Sequence, residues 1–334
     1  MKYLVSGDTG FLGRHLRSAL ERAGHEVVGF SRARGGDVLD ARAVRAAAEG
    51  CDGAFHCAGK VSRRPEDAEA LYRVHVEGTK SFVGACREAH VARVVVVSTS
   101  GTCAVSETGD RAGTEDDPTP IGIIGRWPYY RAKLFAERAA LEQSGHGIEV
   151  VICNPSLLLG PGDAGGSSTD DVRLVMEGAV LAVPAGGLSF ADVRDVADAL
   201  CVAMQKGRPG ERYLLGACNL TVRELFARIA RIAGVDAPWI AMPRSREVAR
   251  AGASFVERFS RRVGLAPAAS PVTVDMAQCF WYVDSSKAER EIEWRPRDAN
   301  ATLYDTVSDL RARGVVWPSG SHHAVPVESG HVSS

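Results

Sequence analysis

The chain has 334 residues, 45% of them apolar and 24% charged, with a formal net charge of −1. That length carries one large domain or two medium ones, each with a real core. The near-neutral charge leaves no electrostatic footprint for nucleic acid or a membrane surface, and no apolar run reaches membrane-spanning length, so neither is expected as a partner.

From the N-terminus, MKYLVSG runs directly into a strand and a glycine turn. That leaves no room for a signal peptide, and a cytoplasmic protein is the expectation. YLVSG (3–7), EVVGF (26–30), GAFHC (53–57), RVVVVST (93–99) and EVVICN (149–154) are short apolar, β-branched runs, the pattern of strands buried on both faces. Between the first two, Leu12, Leu16, Ala19, Leu20 and Ala23 recur at helical spacing, and Gly24 supplies the stop. Similar helices are predicted at 66–89 and 128–144. Strand–helix alternation implies right-handed βαβ units, so the predicted class is α/β, a Rossmann-type doubly wound parallel sheet.

The regularity loosens after Pro155. LSFADVRDVADALCVAMQKG (188–207) reads as a short extended piece feeding a helix, and RYLLGA (212–217) as one more strand. Thr221-x-x-Glu224 is a capping box ahead of a helix, and Ser286-x-x-Glu289 is expected to open another. The stretch 237–317 reads as helix-rich. The expected result is a smaller, mostly helical C-terminal lobe over the carboxyl ends of the strands, where doubly wound folds bind ligands. The division predicted is a dinucleotide domain at 1–165, with 188–218 returning to it, a substrate lobe from 166–187 and 219–317, and a disordered tail at 318–334. Eight cysteines form no C-x-x-C pair, and Cys57, Cys153 and Cys201 sit in apolar runs, which reads as reduced, buried thiols. The histidines show no metal-ligand spacing, and His322, His323 and His331 fall in the tail, so no metal is expected.

SGDTGFLGRHL (6–16) follows the first strand and opens the first helix. Gly7, Gly10 and Gly13 stand three apart, which permits a tight turn and close backbone approach. The helix N-terminus then offers free N–H groups and a positive dipole to a diphosphate. A plain strand–turn–helix would need such glycines for steric reasons alone, but the flanking strand and amphipathic helix favour a nucleotide. Asp8 is anomalous in this loop, because a carboxylate repels a diphosphate; it is expected to point away or to bond a turn N–H. At the end of the second strand an NAD site wants an acid on the ribose 2′-hydroxyl. GFSRARGG offers Ser31, Arg32 and Arg34 instead. A hydroxyl with guanidiniums suits a 2′-phosphate, so NADP(H) is the favoured cofactor and NAD(H) the alternative, against the blander reading of a solvated basic loop.

VVVVSTSGT (94–102) leaves a strand with hydroxyls at 98, 99 and 100, and Tyr129-x-x-x-Lys133 then places two side chains on one helical face. With the glycine loop, this resembles the extended short-chain dehydrogenase/reductase superfamily, the NAD-dependent epimerase/dehydratase family, and within it the dihydroflavonol-reductase-like branch. The resemblance runs along almost the whole chain, through FHCAG (55–59), HVEGT (75–79), YYRAKLFAE, NPSLLLGPGD (154–163), FADVRDVADA (190–199) and SSKAEREI (285–292). It implies Ser100 as the catalytic serine, Tyr129 as acid/base and Lys133 as the lysine, the last two also touching the cofactor. It further implies Gly7, Thr9, Gly10, Phe11, Leu12 and Gly13 as the diphosphate loop. Asp37 and Val38 would meet the adenine, Ala58 and Gly59 the ribose, and Pro155 with Ser156 the nicotinamide side.

Reducing a carbonyl requires a proton donor at the developing alkoxide. A free tyrosine titrates near ~10, and one cation about 4 Å away is worth ~4 kcal/mol at an effective dielectric of 20. Lys133 is therefore expected to lower Tyr129, while Ser100 bonds the substrate oxygen. Taken alone, each reads as a strand-end serine, a helix aromatic and an exposed lysine. Tyr130, about 100° further round the helix, is expected to face packing or the pocket wall.

His75 stands where the family has asparagine and is expected to bond backbone. Ala132 replaces a serine, and Thr99 competes with Ser100. Asp192 and Asp195 are expected to cap a helix and order the lobe.

The function implied is an NADP(H)-dependent reductase or dehydrogenase acting on a ketone, aldehyde or secondary alcohol of a small metabolite. Two other readings stand beside it. One is an NAD-dependent nucleotide-sugar epimerase or dehydratase, whose diphosphate Arg244, Arg246 and Arg250 would have to hold. The other is a non-catalytic dinucleotide-sensing regulator, which would not need the Ser–Tyr–Lys set. Trp239, Phe255, Phe280, Trp281 and Tyr282 are candidate pocket walls, more simply read as core. Related folds pair through the helices at 66–89 and 128–144, so a homodimer is the assembly to expect.

Overall fold

The computed structural model describes residues 1–243, 245, 247–248, 251–252, 254 and 271–316. Arg244, Arg246, Arg250, Phe255, the tail 318–334 and its three histidines lie outside the described residues. The strands are β1 (Lys2–Ser6), β2 (Glu26–Phe30), β3 (Gly53–His56), β4 (Arg93–Val97), β5 (Glu149–Pro155), β6 (Leu157–Leu159), β7 (Gly187–Asp192), β8 (Arg212–Leu215), β9 (Cys218–Thr221) and β10 (Phe280–Trp281). The helices up to residue 233 are α1 (Phe11–Arg22), α2 (Ala41–Ala48), α3 (Ala68–Tyr72), α4 (Gly78–Glu88), α5 (Ile121–Ile124), α6 (Pro128–Leu141), α7 (Asp170–Met176), α8 (Val193–Lys206) and α9 (Val222–Ala233).

Six parallel strands form the main sheet in the order β2–β1–β3–β4–β5–β8. Successive side chains on a strand point to opposite faces, so continuous apolar runs feed two cores. Val5, Phe55, Val95, Val151 and Cys153 pack with Leu16 and Leu20 of α1 and Val196 and Leu200 of α8. Leu4, Ala54, Val94, Val96 and Ile152 pack on the other face with Val44 of α2, Phe82 and Val83 of α4 and Ala140 of α6. The chain leaves β1 to build β2 on one side and returns to build β3 on the other. That reversal places the exits of β1 and β3 side by side at the carboxyl edge, where ligands of such sheets bind.

Beyond that edge a second sheet runs β10–β7–β6, with β9 antiparallel on β7. It packs on α7, α9 and the helix Ala299–Ala312 through Leu159, Phe190, Val175, Ile229, Leu303 and Val307. The lobe thus carries a small sheet beside its helices. The segment 188–218 serves both bodies, because β7 belongs to the small sheet while α8 and β8 join the main one.

Local chemistry explains most boundaries. Asp40 caps α2 by accepting from Arg42 N and Ala43 N, and Thr221 with Glu224 forms the full capping box of α9. Ser286 does not cap as expected. It already lies within the helix Ser286–Glu291, where Asp284 Oδ1 accepts its N–H, while the Ser285 hydroxyl is held by the Gly216 backbone. The helix predicted at 66–89 is also interrupted, with a π turn at Arg73–Glu77 between α3 and α4. One inserted residue widens the helix there and brings His75 into the interior, a device common at functional sites. All eight cysteines are free thiols. Among the described residues no helix is long and apolar enough to cross a membrane, and no cluster of three metal-ligating side chains occurs.

Candidate active site

The glycine loop draws the exits of β1 and β3 and the start of α1 into close backbone contact. Gly7 has φ +71°, donates its N–H to Phe30 O at 2.8 Å, and accepts the Gly10 N–H at 2.9 Å. A Cβ at Gly7 would lie 2.8 Å from Ala58 N, and one at Gly13 would lie 2.1 Å from Gly7 O, so only glycine lets the loop, the β3 exit and α1 close together. Gly10 caps α1 without a side chain, Thr9 is exposed and Phe11 and Leu12 pack inward, which leaves the first N–H groups of the helix open to an anion. These features fit the diphosphate of a dinucleotide. Ala58 N donates to Ser6 Oγ, and Gly59 lies against His75 so closely that a Cβ would meet its ring at 2.7 Å. Val38 is buried against Gly78, and Asp37 closes a turn by accepting Leu39 N. Ser156 directs both its N–H and its hydroxyl to Leu215 O, just past Pro155 at the end of β5.

Asp8 is the loop's surprise. Its carboxylate is buried and turned back onto β2, where Oδ2 accepts Arg34 Nε at 2.7 Å and Arg17 Nη1 at 3.3 Å. Arg34 therefore does not stand free, as its sequence position suggested. Ser31 is buried with a hydroxyl that has no partner, and Arg32 is exposed with no anionic partner among the described residues.

Tyr129 occupies the first turn of α6, which Pro128 opens. Its ring meets His75 edge-on at 5.6 Å and Tyr130 at 5.1 Å. Tyr130 stacks on Trp281 at 4.7 Å and covers Gly101, where a Cβ would sit 2.3 Å from its ring. As its position on the helix implied, Tyr130 faces packing. Trp281 is anchored through Nε1 to Met276 O and Phe280 packs on Gly109 and Tyr282, whereas Trp239 is exposed.

Lys133 is buried and donates to Val97 O at 2.9 Å. Burial pulls its ammonium down to about 8, opposed by the nearby Glu137 carboxylate. The expected lowering of Tyr129 by Lys133 is not found. Burial, with Tyr130 beside it, raises the phenol above its ordinary value, while the Lys133 ammonium donates to a backbone carbonyl.

Glu137, one turn after Lys133, was not foreseen. It is 2% exposed and accepts from Ser98 Oγ, from Thr102 Oγ1 at 2.7 Å and from Asn154 Nδ2 at 2.7 Å. Asn154 also donates to Thr99 O, and Thr99 Oγ1 accepts Gly101 N. These bonds clamp both sides of the short turn Ser100–Thr102, which leaves the Ser100 hydroxyl without a partner among the described residues. The available signal was spacing: Glu137 lies at i+4 from Lys133, in line with buried Leu134 and Ala140, where a solvated glutamate does not belong.

Two histidines complete the frame. His56 bridges Ser6 Oγ and Thr79 Oγ1, and His75 Nε2 lies 2.8 Å from Lys60 O. Burial first, then Lys133, lowers each to about 3. Both stay neutral in the folded chain while their unfolded counterparts titrate near ~6.5. Below that pH the unfolded state binds more protons, so stability held above pH 6.5 is lost on acidification towards 3. The expected slope is about 1.4 kcal/mol per pH unit for each histidine. Urea midpoints measured at pH 7, 5 and 4 should fall accordingly, and a flat series would contradict it. Asp192 caps α8 and pairs with Arg194, while Asp195 holds Arg297 at 2.7 Å.

The sequence profile described as the NAD dependent epimerase/dehydratase family matches residues 3–216. A Synechocystis sp. protein named as a dihydroflavonol 4-reductase is 30% identical, over 94% of this chain and 96% of its own. Sterol demethylase protein B of Methylococcus capsulatus is 29% identical, over 95% of this chain and 100% of its own. Among solved structures, a nucleoside-diphosphate-sugar epimerase from Pseudomonas aeruginosa superposes with a TM-score of 0.76 at 26% identity, covering 95% of this chain and 99% of its own.

Proposed function

The chain belongs to the NAD dependent epimerase/dehydratase family and is an NAD(P)-dependent oxidoreductase of the extended short-chain type; on that premise we propose that it reduces a ketone or aldehyde of a small, ring-bearing, largely apolar metabolite with NADP(H), Tyr129 serving as the acid. The observation that carries this reading is the setting of Tyr129: in the first turn of α6, one turn before Lys133, walled by His75 and Tyr130, on a helix stitched by Glu137 to the turn that presents Ser100. The relatives named for dihydroflavonol and sterol chemistry support the substrate class.

The loop at 7–13, the exits of β3 and β5 and the turn after β2 would hold the dinucleotide, whose nicotinamide supplies the hydride when bound. The remaining work belongs to this chain. Ser100 donates its hydroxyl to the carbonyl oxygen and fixes its direction. Tyr129, kept protonated by burial, gives its proton to that oxygen as it becomes an alkoxide. Lys133, ionised below about pH 8, stabilises the tyrosinate left behind. The cofactor role falls to the main sheet with its flanking helices, and the enclosing role to the small sheet with α7, α9 and the helix Ala299–Ala312.

The test is a panel of ring ketones and aldehydes with NADPH and NADH side by side, followed through loss of reduced-nicotinamide absorbance. NADPH-dependent turnover is expected. The second reading, a sugar-nucleotide epimerase, draws support from the Pseudomonas aeruginosa structure. Tightly bound NAD(H) in the purified protein, with no turnover on the panel, would replace the first reading with it.

A further inference from the structure

The carboxyl end of β2 gathers four charged side chains whose pairing decides what the ribose end of the dinucleotide meets. Asp8 is 1% exposed, Arg34 reaches it at 2.7 Å, and Arg17 divides between Asp8 at 3.3 Å and Glu21 at 2.7 Å. The contact is built into the backbone, because a Cβ at Gly29 would sit 2.2 Å from Asp8 Oδ2 and 2.9 Å from Arg34 Nε. Two positive and two negative charges therefore cancel, and Arg32 is the cation left without an anionic partner among the described residues. Two buried polar atoms here have no partner among the described residues, Ser31 Oγ after β2 and Asp8 Oδ1 in the glycine loop. A hydroxyl and one free guanidinium offer a 2′-phosphate a site, while a buried carboxylate next to them opposes it.

We infer that Asp8 is a specificity-determining counter-charge, which offsets Arg34 and so restrains the preference for a 2′-phosphorylated dinucleotide over its plain 2′-hydroxyl counterpart. The inference rests on the dinucleotide reading of the glycine loop but not on which cofactor the wild-type chain prefers. A carboxylate beside a 2′-phosphate would repel it in a partly buried setting, and the same carboxylate already occupies the Nε edge of the Arg34 guanidinium.

The test uses two fragments of the cofactor, 2′,5′-ADP and 5′-AMP, titrated calorimetrically into the full chain, so no turnover is required. The ratio of their affinities in the wild-type chain measures the NADP reading by itself. Asp8→Asn keeps the shape and an acceptor for Arg34 while removing the charge, and should raise that ratio about tenfold, mainly through tighter 2′,5′-ADP binding. Asp8→Ala is the second variant, with folding of both checked by thermal melting, and should move the ratio the same way. Arg32→Ala should lower it. An unchanged ratio in the Asp8 variants overturns the inference, as does a fall, which would make Asp8 the residue that positions Arg34 for the phosphate. A wild-type ratio near one with a rise in Asp8→Asn overturns only the NADP assignment.

Discussion

Tyr129→Phe should lower the turnover number for carbonyl reduction by about 10²–10⁴-fold, the range attached to a positioned general acid, and leave calorimetric NADPH binding within a few-fold of wild type. The ring is kept, so its edge contacts with His75 and Tyr130 survive and the loss isolates the proton. Tyr130→Phe is the matched control. It keeps the stack on Trp281 and the cover over Gly101, and should change KM more than kcat. Equal losses in the two variants, or activity surviving in Tyr129→Phe, would assign the acid to another residue.

Glu137→Ala should cost about 3 kcal/mol of stability in urea unfolding and reduce activity as well. The carboxylate accepts from Ser98, Thr102 and Asn154 in the interior, and each buried donor left without a partner costs about 1–3 kcal/mol, with some relaxation among them. Arg212, 3.7 Å from the other oxygen, would also lose its counter-ion. Glu137→Gln retains an acceptor for the three donors and should lie between Ala and wild type. An alanine variant as stable as wild type would mean that the donors find new partners and that the turn bearing Ser100 is held by other means.

The sheet was legible because its strands are buried on both faces: runs such as Val94–Val97 are apolar at every position, the pattern of a parallel strand covered on both sides. Glycine positions were legible for a related reason, since Gly7 and Gly13 are places where a side chain cannot exist. What escaped the sequence was pairing across distance. Arg34 follows Asp8 by 26 residues and Asn154 follows Glu137 by 17, and nothing local to either member names the other. The same limit explains the expectation for Tyr129. Spacing set it beside Lys133 on a helix but carried no information on the carbonyl of Val97, to which the ammonium turns, or on the burial that raises the phenol. The π turn at His75 was hidden as well, because one extra residue per turn leaves no composition signature.

The small sheet has a consequence for how the protein is made. Its central strand β7 is bordered on one edge by β6 near one end and by β10 near the other, and the two flanking pieces lie more than a hundred residues apart in the chain. The same β10 segment exchanges backbone bonds with Ser106, and Tyr282 O accepts Gly113 N, so it laces the lobe to the main body. Five of the main sheet's six strands are complete by Pro155 and the sixth by Leu215. The main sheet can therefore mature on the ribosome, while Gly187 and Leu188 keep a bare edge, open to mispairing with a neighbouring nascent chain, until residue 281 has emerged. Proteolysis of chains stalled at increasing lengths would read out that order, and protection of the lobe before residue 281 would refute it.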